Sequence, residues 1–358
     1  MKIGIIGLQN SGKTTIFNAL TGQELETTPY SLQKAEPNLG IVEVLDERIT
    51  KLSEMYDPKK TIYATIEYID FAGFSSEQDS SEPIPANILA LAKTTDALAV
   101  IVRNFSNNLA DEISKLSALE QIETLESELI MSDLIIAENR KENIELSKKR
   151  GVKEAALLIE EKAIEKVISH LENENPLRTL DLELNEKKAI RGFQFISQKP
   201  MMIILNSDED NYGKNEEIIS EIEKKYKAIE FAGNFEMELS QLPEDEAAEF
   251  MQDMGISQSA RNRLTKLSYD ILGNISFFTV GKDEVRAWTI EKGQNAVEAA
   301  GKIHTDLARG FIRAECFSYE NLIEAGSEKV LREKGQFRLE GKNYIVKDGD
   351  IISIRFSV

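Results

Sequence analysis

The chain of 358 residues holds a single cysteine, Cys316, and two histidines, His170 and His304. One thiol excludes an intrachain disulfide framework and any multi-cysteine metal site. Two histidines far apart, with no cysteine beside either, leave zinc without a ligand set. No Ser-His-Asp arrangement has independent support. No apolar run approaches the roughly 18 residues of a membrane-spanning helix. The apolar start Ile3-Gly4-Ile5-Ile6 is too short for a secretory leader and runs straight into a glycine-rich motif. These absences imply a cytoplasmic protein with no membrane partner. Positive charge is also scarce, 43 Lys and Arg against 62 Asp and Glu, for a formal net charge of −19. Such a surface repels nucleic-acid phosphates and disfavours indiscriminate binding to DNA or RNA. A local basic patch could still dock on one RNA-containing partner.

What is present is a patterned α/β chain long enough for two or three cores. Residues 3–6 form a short apolar run ending in glycine, and residues 14–20 have helical character. Residues 62–69, 98–102 and 201–205 read as further strands, so a mostly parallel sheet with helices on both faces is expected. Between the last two of these strands, Ile113, Leu116, Leu119, Ile122, Leu125 and Leu129 recur at helical spacing among Glu and Lys. Gly151 interrupts, and Leu157, Leu158, Ile164, Val167 and Leu171 resume the pattern. The texture suggests an antiparallel helical hairpin inserted into the sheet domain, the alternative being ordinary packing helices. A helical stretch is expected from about residue 240 to 272. After Ile275 strand-like segments at 277–280, 311–315, 344–346 and 351–354 indicate a separate small α+β domain, with Lys347-Asp348-Gly349-Asp350 as a hairpin turn.

The chemistry is concentrated near the amino end. Gly7-Leu8-Gln9-Asn10-Ser11-Gly12-Lys13-Thr14 matches the P-loop pattern, and it stands between a strand and a helix as that motif requires. Its glycines let successive main-chain N–H groups converge on one anion, with the next helix adding its positive end. Asn10, Ser11, Gly12, Lys13, Thr14 and Thr15 are thus the expected phosphate-binding residues. Lys13 is the candidate catalytic group at the β- and γ-phosphates, and the Thr14 hydroxyl a ligand of Mg²⁺. Asp70-Phe71-Ala72-Gly73 at the end of the 62–69 strand fits an Asp-x-x-Gly element. Asp70 would bind the metal through water, and the Gly73 amide would sense the γ-phosphate. For the base, GTPases use Asn-Lys-x-Asp after a later strand. Here Asn206-Ser207-Asp208-Glu209 stands in that place. Asn206 is present, but Ser207 replaces lysine and Glu209 replaces aspartate. A carboxylate on a longer stem misfits guanine's two donors, so adenine is favoured.

These residues together resemble the YchF family, or Obg-like ATPases, of the translation-factor-related P-loop proteins. The likeness covers nearly the whole chain and includes Asn10 to Leu20, Glu36-Pro37-Asn38-Leu39-Gly40, Asp70-Phe71-Ala72-Gly73 and Val285-Arg286-Ala287-Trp288-Thr289-Ile290. It continues through Ala300-Gly301-Lys302-Ile303-His304-Thr305-Asp306, Arg309 to Glu315, and Leu339 to Tyr344. The resemblance implies a P-loop domain (1–110 and 196–274), an inserted helical coiled hairpin (111–195) and a C-terminal ubiquitin-like β-grasp of the TGS type (275–358). It further implies slow hydrolysis of ATP in preference to GTP, and a ribosomal partner. Phe74 occupies the position where many GTPases carry a catalytic glutamine, as the family's hydrophobic residue does. Asn10 matches an asparagine that helps bind an activating monovalent cation in some relatives, so K⁺ joins Mg²⁺ as a cofactor to consider.

Two departures stand out. Lys34-Ala35 precedes Glu36 where the family has a Thr-Ile pair whose threonine completes the Mg²⁺ shell. An ammonium cannot ligate a metal; Thr27 or Thr28 could substitute only in a re-threaded loop. The segment Ser75 to Pro83 is acidic where the family has a longer Gly- and Lys-rich stretch. The alternative function is therefore a nucleotide-sensing module with little or no hydrolysis. A conventional GTPase is disfavoured by Glu209. Trp288 could stack on RNA or pack in a small core.

Overall fold

The computed structural model describes residues 1–25, 37–71, 84, 86–106, 115–151, 155–253 and 259–357. The first elements are β1 (Lys2–Gly7), α1 (Lys13–Thr21), β2 (Asn38–Glu43), α2 (Glu47–Tyr56), β3 (Thr61–Ile62), β4 (Thr65–Asp70), α3 (Ala86–Ala92) and β5 (Ala97–Asn104). Next come α4 (Ala118–Lys149), α5 (Ala155–Glu172), α6 (Leu184–Ile190), β6 (Met201–Ser207), α7 (Glu216–Glu223), β7 (Lys227–Phe231), α8 (Gly233–Gln241), α9 (Glu244–Asp253) and α10 (Ala260–Ile271). The last strands are β8 (Asn274–Thr279) and β9 (Val285–Glu291), then α11 (Ala296–Ile303), β10 (Phe311–Ser318), β11 (Arg338–Glu340) and β12 (Asp350–Phe356). Two compact units result: residues 1–41 with 67–263, and residues 42–66 with 264–358.

In the first unit a six-stranded sheet runs in the order β2-β4-β1-β5-β6-β7. The pairs β4/β1, β1/β5, β5/β6 and β6/β7 are parallel. A parallel sheet covered on both faces needs apolar side chains on both, which is why β5 and β6 are buried almost from end to end. Ile6, Val100, Ile203 and Leu205 pack with Ile88 of α3 and with Ile122, Leu125 and Leu129 of α4. The registers align Ile5 with Asp70, Gly7 with Ile101, Asn104 with Ser207 and Asn206 with Phe231. All five strand ends therefore reach one edge, where ligands of open parallel sheets bind.

The helical insertion has its own core. Ser117 and Glu120 close a capping box at the start of α4, with Ser117 N donating to Glu120 Oε2 at 2.7 Å. At about 1.5 Å per residue, the 32 residues of α4 extend some ~48 Å. Gly151, at φ 88°, follows the end of α4. Ala137 and Ile144 then meet Ala163, Ile164 and Val167 of α5. Arg140 grips Glu160 with two bonds of 2.7 and 2.9 Å. At the hairpin's base, buried Asp133 accepts Ile196 N at 2.9 Å, Ser197 N at 2.7 Å and Ser197 Oγ at 2.6 Å. Burial pushes this carboxyl up, and the three donors oppose the shift.

In the second unit the order is β11-β10-β12-β8-β9-β3. The first and last strands of its C-terminal part, β8 and β12, are parallel neighbours, whereas β8/β9, β10/β12 and β10/β11 are antiparallel. Helix α11 lays Ala296, Ala299 and Ala300 against Phe277, Ile290 and Ile352. A hairpin, a crossing helix and a last strand returning beside the first make a β-grasp. Trp288 belongs to its packing: the ring stacks at 6.4 Å on Phe277, its Nε1 donates to Thr279 Oγ1 at 2.9 Å, and Arg286 lies 4.0 Å over its face. His304 caps the short helix Thr305–Arg309 by accepting Asp306 N, and His170 lies 2.8 Å from Thr179 Oγ1.

Four expectations need correction. The single strand expected at 62–69 is two strands in two sheets: Thr61 and Ile62 pair with Val285 and Arg286 of β9, while Thr65–Asp70 pairs with β1. Accordingly residues 42–66, read from the sequence as part of the nucleotide-binding domain, lie in the second unit, as do residues 264–274. Segment 344–346 is not a strand of the β-grasp. Its main chain serves the turn into α11, with Ala296 N donating to Tyr344 O and Val346 N to Gln294 O. The 347–350 turn, closed by Asp350 N to Lys347 O at 3.1 Å, thus leads into β12 without making a hairpin.

Candidate functional site

The loop between β1 and α1 is shaped by main-chain conformations that few side chains permit. Asn10 has φ 58° and Gly12 φ 90°, both left-handed. A Cβ on Gly12 would lie 2.2 Å from Asn206 Nδ2, so a larger residue is excluded on contact as well. No side chain caps α1 at Gly12, which leaves first-turn N–H groups to an external anion. Lys13 folds back over the loop, its Nζ donating to Leu8 O at 2.7 Å and Gly7 O at 3.0 Å. Burial lowers its pKa to about 8, although the Asp70 carboxylate nearby raises it. Thr15 sits half-buried in the first turn. Ser11 is fully buried, and its hydroxyl has no hydrogen-bond partner among the described residues.

Asp70, at the end of β4, is fully buried. Its Oδ2 accepts the Thr14 hydroxyl at 3.1 Å and the Asn38 amide at 3.4 Å. Two hard oxygens at that spacing match neighbouring ligands of an octahedral ion bound at ~2.1 Å, so the donor set fits Mg²⁺ directly or through water. Asn38 entered the sequence reading only inside a motif; its position beside the carboxylate comes from β2.

On the other side, Asn206 at the end of β6 bridges two loops. Its Nδ2 donates to Ser11 O at 3.0 Å and its Oδ1 accepts Gly233 N at 3.1 Å. The same crowding recurs at Gly233, where a Cβ would stand 2.7 Å from Asn206 Oδ1. Ser207 is buried and donates to Glu230 Oε1 at 2.7 Å. Glu209 is exposed on the turn after β6, apart from the Asn206 bridge. The structure thus gathers Asn10, Ser11, Gly12, Lys13, Thr14, Thr15, Asp70 and Asn206 around one loop. Gly73, Phe74, Thr27, Thr28, Lys34 and the acidic run at 75–83 lie outside the described residues. Sequence reasoning missed Glu230, Asn104 and Asn215, which flank Ser207; strand register brings in Glu230 and Asn104 and the turn before α7 brings in Asn215, neither of which is visible without the fold.

Ribosome-binding ATPase YchF of Pasteurella multocida is 38% identical over 362 residues, covering 100% of this chain and 99% of that protein. This chain belongs to the YchF family. The protein of the same name from Bacillus subtilis is 36% identical over 364 residues and 99% of both chains. A solved structure, that of the Schizosaccharomyces pombe YchF GTPase, superposes with TM-score 0.86 at 29% identity, covering 99% of this chain and 97% of that one. Two family models match: one described as 50S ribosome-binding GTPase over residues 2–140, and YchF-GTPase_C, described as a protein of unknown function, over 274–357. As a YchF protein the chain has the P-loop GTPase fold and a C-terminal domain. No helix among the described residues is long and apolar enough to cross a membrane.

Proposed function

We propose that this chain binds a purine nucleoside triphosphate with Mg²⁺, prefers ATP to GTP, and hydrolyses the β–γ bond slowly in the cytoplasm, its nucleotide state governing association with the ribosome. The observation that carries the reading is the Lys13 ammonium, held over the loop by Gly7 O and Leu8 O next to the Thr14–Asp70 pair. The names of the relatives, ribosome-binding ATPases, agree with it.

In this reading the loop amides and the uncapped start of α1 hold the phosphates, while Lys13 neutralises charge that builds on the β–γ bridge. Thr14 and Asp70 would hold Mg²⁺, which supplies Lewis-acid polarisation of the phosphoryl oxygens. Asn206 fixes the loop's far side. Neither Ser207, engaged by Glu230, nor exposed Glu209 offers guanine the paired acceptor that a GTPase aspartate provides, which supports adenine. With Phe74 in place of a water-orienting glutamine, the basal rate is low, to be raised by a partner or by K⁺ near Asn10.

Single-turnover hydrolysis by the full chain and by Lys13→Ala tests the enzyme. A wild-type burst that the variant lacks supports hydrolysis, and equally flat traces make the protein a nucleotide-sensing module instead. Competition of ATP and GTP for one labelled analogue tests the base, where a tenfold advantage for GTP rejects the assignment. Co-sedimentation with ribosomes under ATP, ADP and no nucleotide tests the partner.

A further inference from the structure

At the carboxyl ends of β5, β6 and β7, next to the Asn206 bridge, lies a polar cluster that no motif accounts for. Glu230 of β7 is at its centre. Its Oε1 accepts the Ser207 hydroxyl at 2.7 Å and the Asn215 amide at 2.6 Å, and its Oε2 accepts Gly213 N at 3.0 Å. Ser207 Oγ in turn accepts the amides of Asn104 at 3.0 Å and Asn215 at 3.3 Å. The turn between β6 and α7 is thereby fastened at both ends. Asp208 Oδ1 takes Asn211 N at 2.9 Å at its start, and Glu230 holds Gly213 and Asn215 at its close. Arg263 braces the same place, donating to Glu230 O at 3.4 Å and to the Tyr212 hydroxyl at 2.6 Å.

The location gives the cluster its meaning. A nucleotide whose phosphates lie on the loop after β1 extends along the strand ends, and Asn206 already joins that loop to β6. Ser207 is the next residue. A guanine-reading site needs a carboxylate with both oxygens open to two N–H donors. Glu230 is the carboxylate at this spot, and both its oxygens are engaged by the protein. What remains around it are amides: Asn215 spends its N–H groups on Glu230 Oε1 at 2.6 Å and Asn211 O at 2.8 Å and offers its oxygen to adenine's amino group, while Asn104, with one N–H on Ser207, keeps a second N–H for a ring nitrogen.

We infer that Glu230 is the positioning residue for base selection: it locks Ser207, Gly213 and Asn215 into the turn that meets an adenine, and by doing so is itself withheld from guanine. The inference rests on the nucleotide reading above. It assigns selectivity to a residue 21 positions beyond Glu209, in β7 and not in the turn after β6.

The test measures equilibrium affinity of the full chain for ATP, GTP and inorganic tripolyphosphate, in wild type, Glu230→Ala, Glu230→Gln and Asn215→Ala, with thermal melting alongside. The expected result for Glu230→Ala is an ATP:GTP preference at least tenfold smaller, with tripolyphosphate affinity within twofold of wild type. Asn215→Ala shifts the ratio in the same direction, and it decides the matter should Glu230→Ala fail to fold. Glu230→Gln, which keeps one acceptor for Ser207, restores part of the preference. An unchanged ratio in Glu230→Ala and Asn215→Ala overturns the inference, as does a wild-type ratio near one, or a loss of tripolyphosphate affinity equal to that of ATP. A wild type that binds none of the three ligands overturns the nucleotide reading itself, and the inference with it.

Discussion

Nucleotide affinity should fall steeply above pH 8, because the group proposed to meet the phosphates is a lysine already close to losing its proton. Burial lowers Lys13 to about 8 in the free protein. Against a phosphate charge roughly 4 Å away, at an effective dielectric of about 20, the ammonium gains about 4 kcal/mol, enough to keep it protonated in the complex past pH 9.5. Binding therefore requires the charged form. About nine-tenths of the free protein carries it at pH 7 and about 3% at pH 9.5, so the Kd for ATP should rise about 30-fold between those values. At pH 8 each binding event should take up about half a proton. Calorimetry in two buffers of different ionisation heat reads that uptake directly, and titrations from pH 7 to 9.5 read the slope. Lys13→Arg should give a flat profile, since a guanidinium does not titrate there. The stability of the free protein has the opposite trend. Below pH 8 the buried charge is a full cost; between 8 and the unfolded value of 10.5 the unfolded chain holds more protons, so stability rises with pH. A Kd for ATP that stays level from pH 7 to 9.5, or a slope that persists in Lys13→Arg, refutes the reasoning.

Other outcomes follow from single contacts. Gly12→Ala combines a left-handed φ, costing about 1–2 kcal/mol, with a Cβ 2.2 Å from Asn206; ATP affinity should drop more than about 100-fold while circular dichroism shows a folded chain. Asn206→Ala removes the bonds to Ser11 and Gly233 and should cost about 2–3 kcal/mol by urea unfolding. Thr14→Ala should abolish the gain in ATP affinity that Mg²⁺ confers and leave affinity in chelator within about twofold; an undiminished Mg²⁺ gain would remove Thr14 from the metal shell. Asp133→Ala strands three donors at the base of the hairpin and should destabilise by about 3–5 kcal/mol, with ATP affinity of the folded protein unaltered.

The phosphate loop was legible because its function is local: eight consecutive residues bend one stretch of backbone, so spacing alone specifies the geometry. Asn206 was legible for a related reason, since a strand end carries it to a fixed place beside that loop. The hairpin was legible from its 3.6-residue periodicity, although its first helix begins at Ala118 and not near residue 111, at a Ser117–Glu120 capping box that the sequence reading passed over. The division of 62–69 was not. Its β-branched run favours strand throughout, and nothing local says that Ile62 and Thr65 pair with strands of different sheets. Strands β2, β7, β9 and β11 escaped notice as well, because half-exposed strands such as β2 alternate with polar residues over too few positions to rise above turn-like sequence. Glu230 escaped because its partners come from register and a turn, 15 to 23 residues away.

The chain passes from one unit to the other after residues 41, 66 and 263. Neither half is therefore a contiguous stretch of gene. Cutting at the start of β8 to isolate an amino-terminal fragment would strip α2 and β3 of the sheet they complete, leaving Ile49 and Leu52, both fully buried, facing water. Functions should accordingly be apportioned by point substitution in the intact polypeptide, and a loss of activity in a deletion of the last hundred residues would report a damaged nucleotide-side fragment as readily as a missing module.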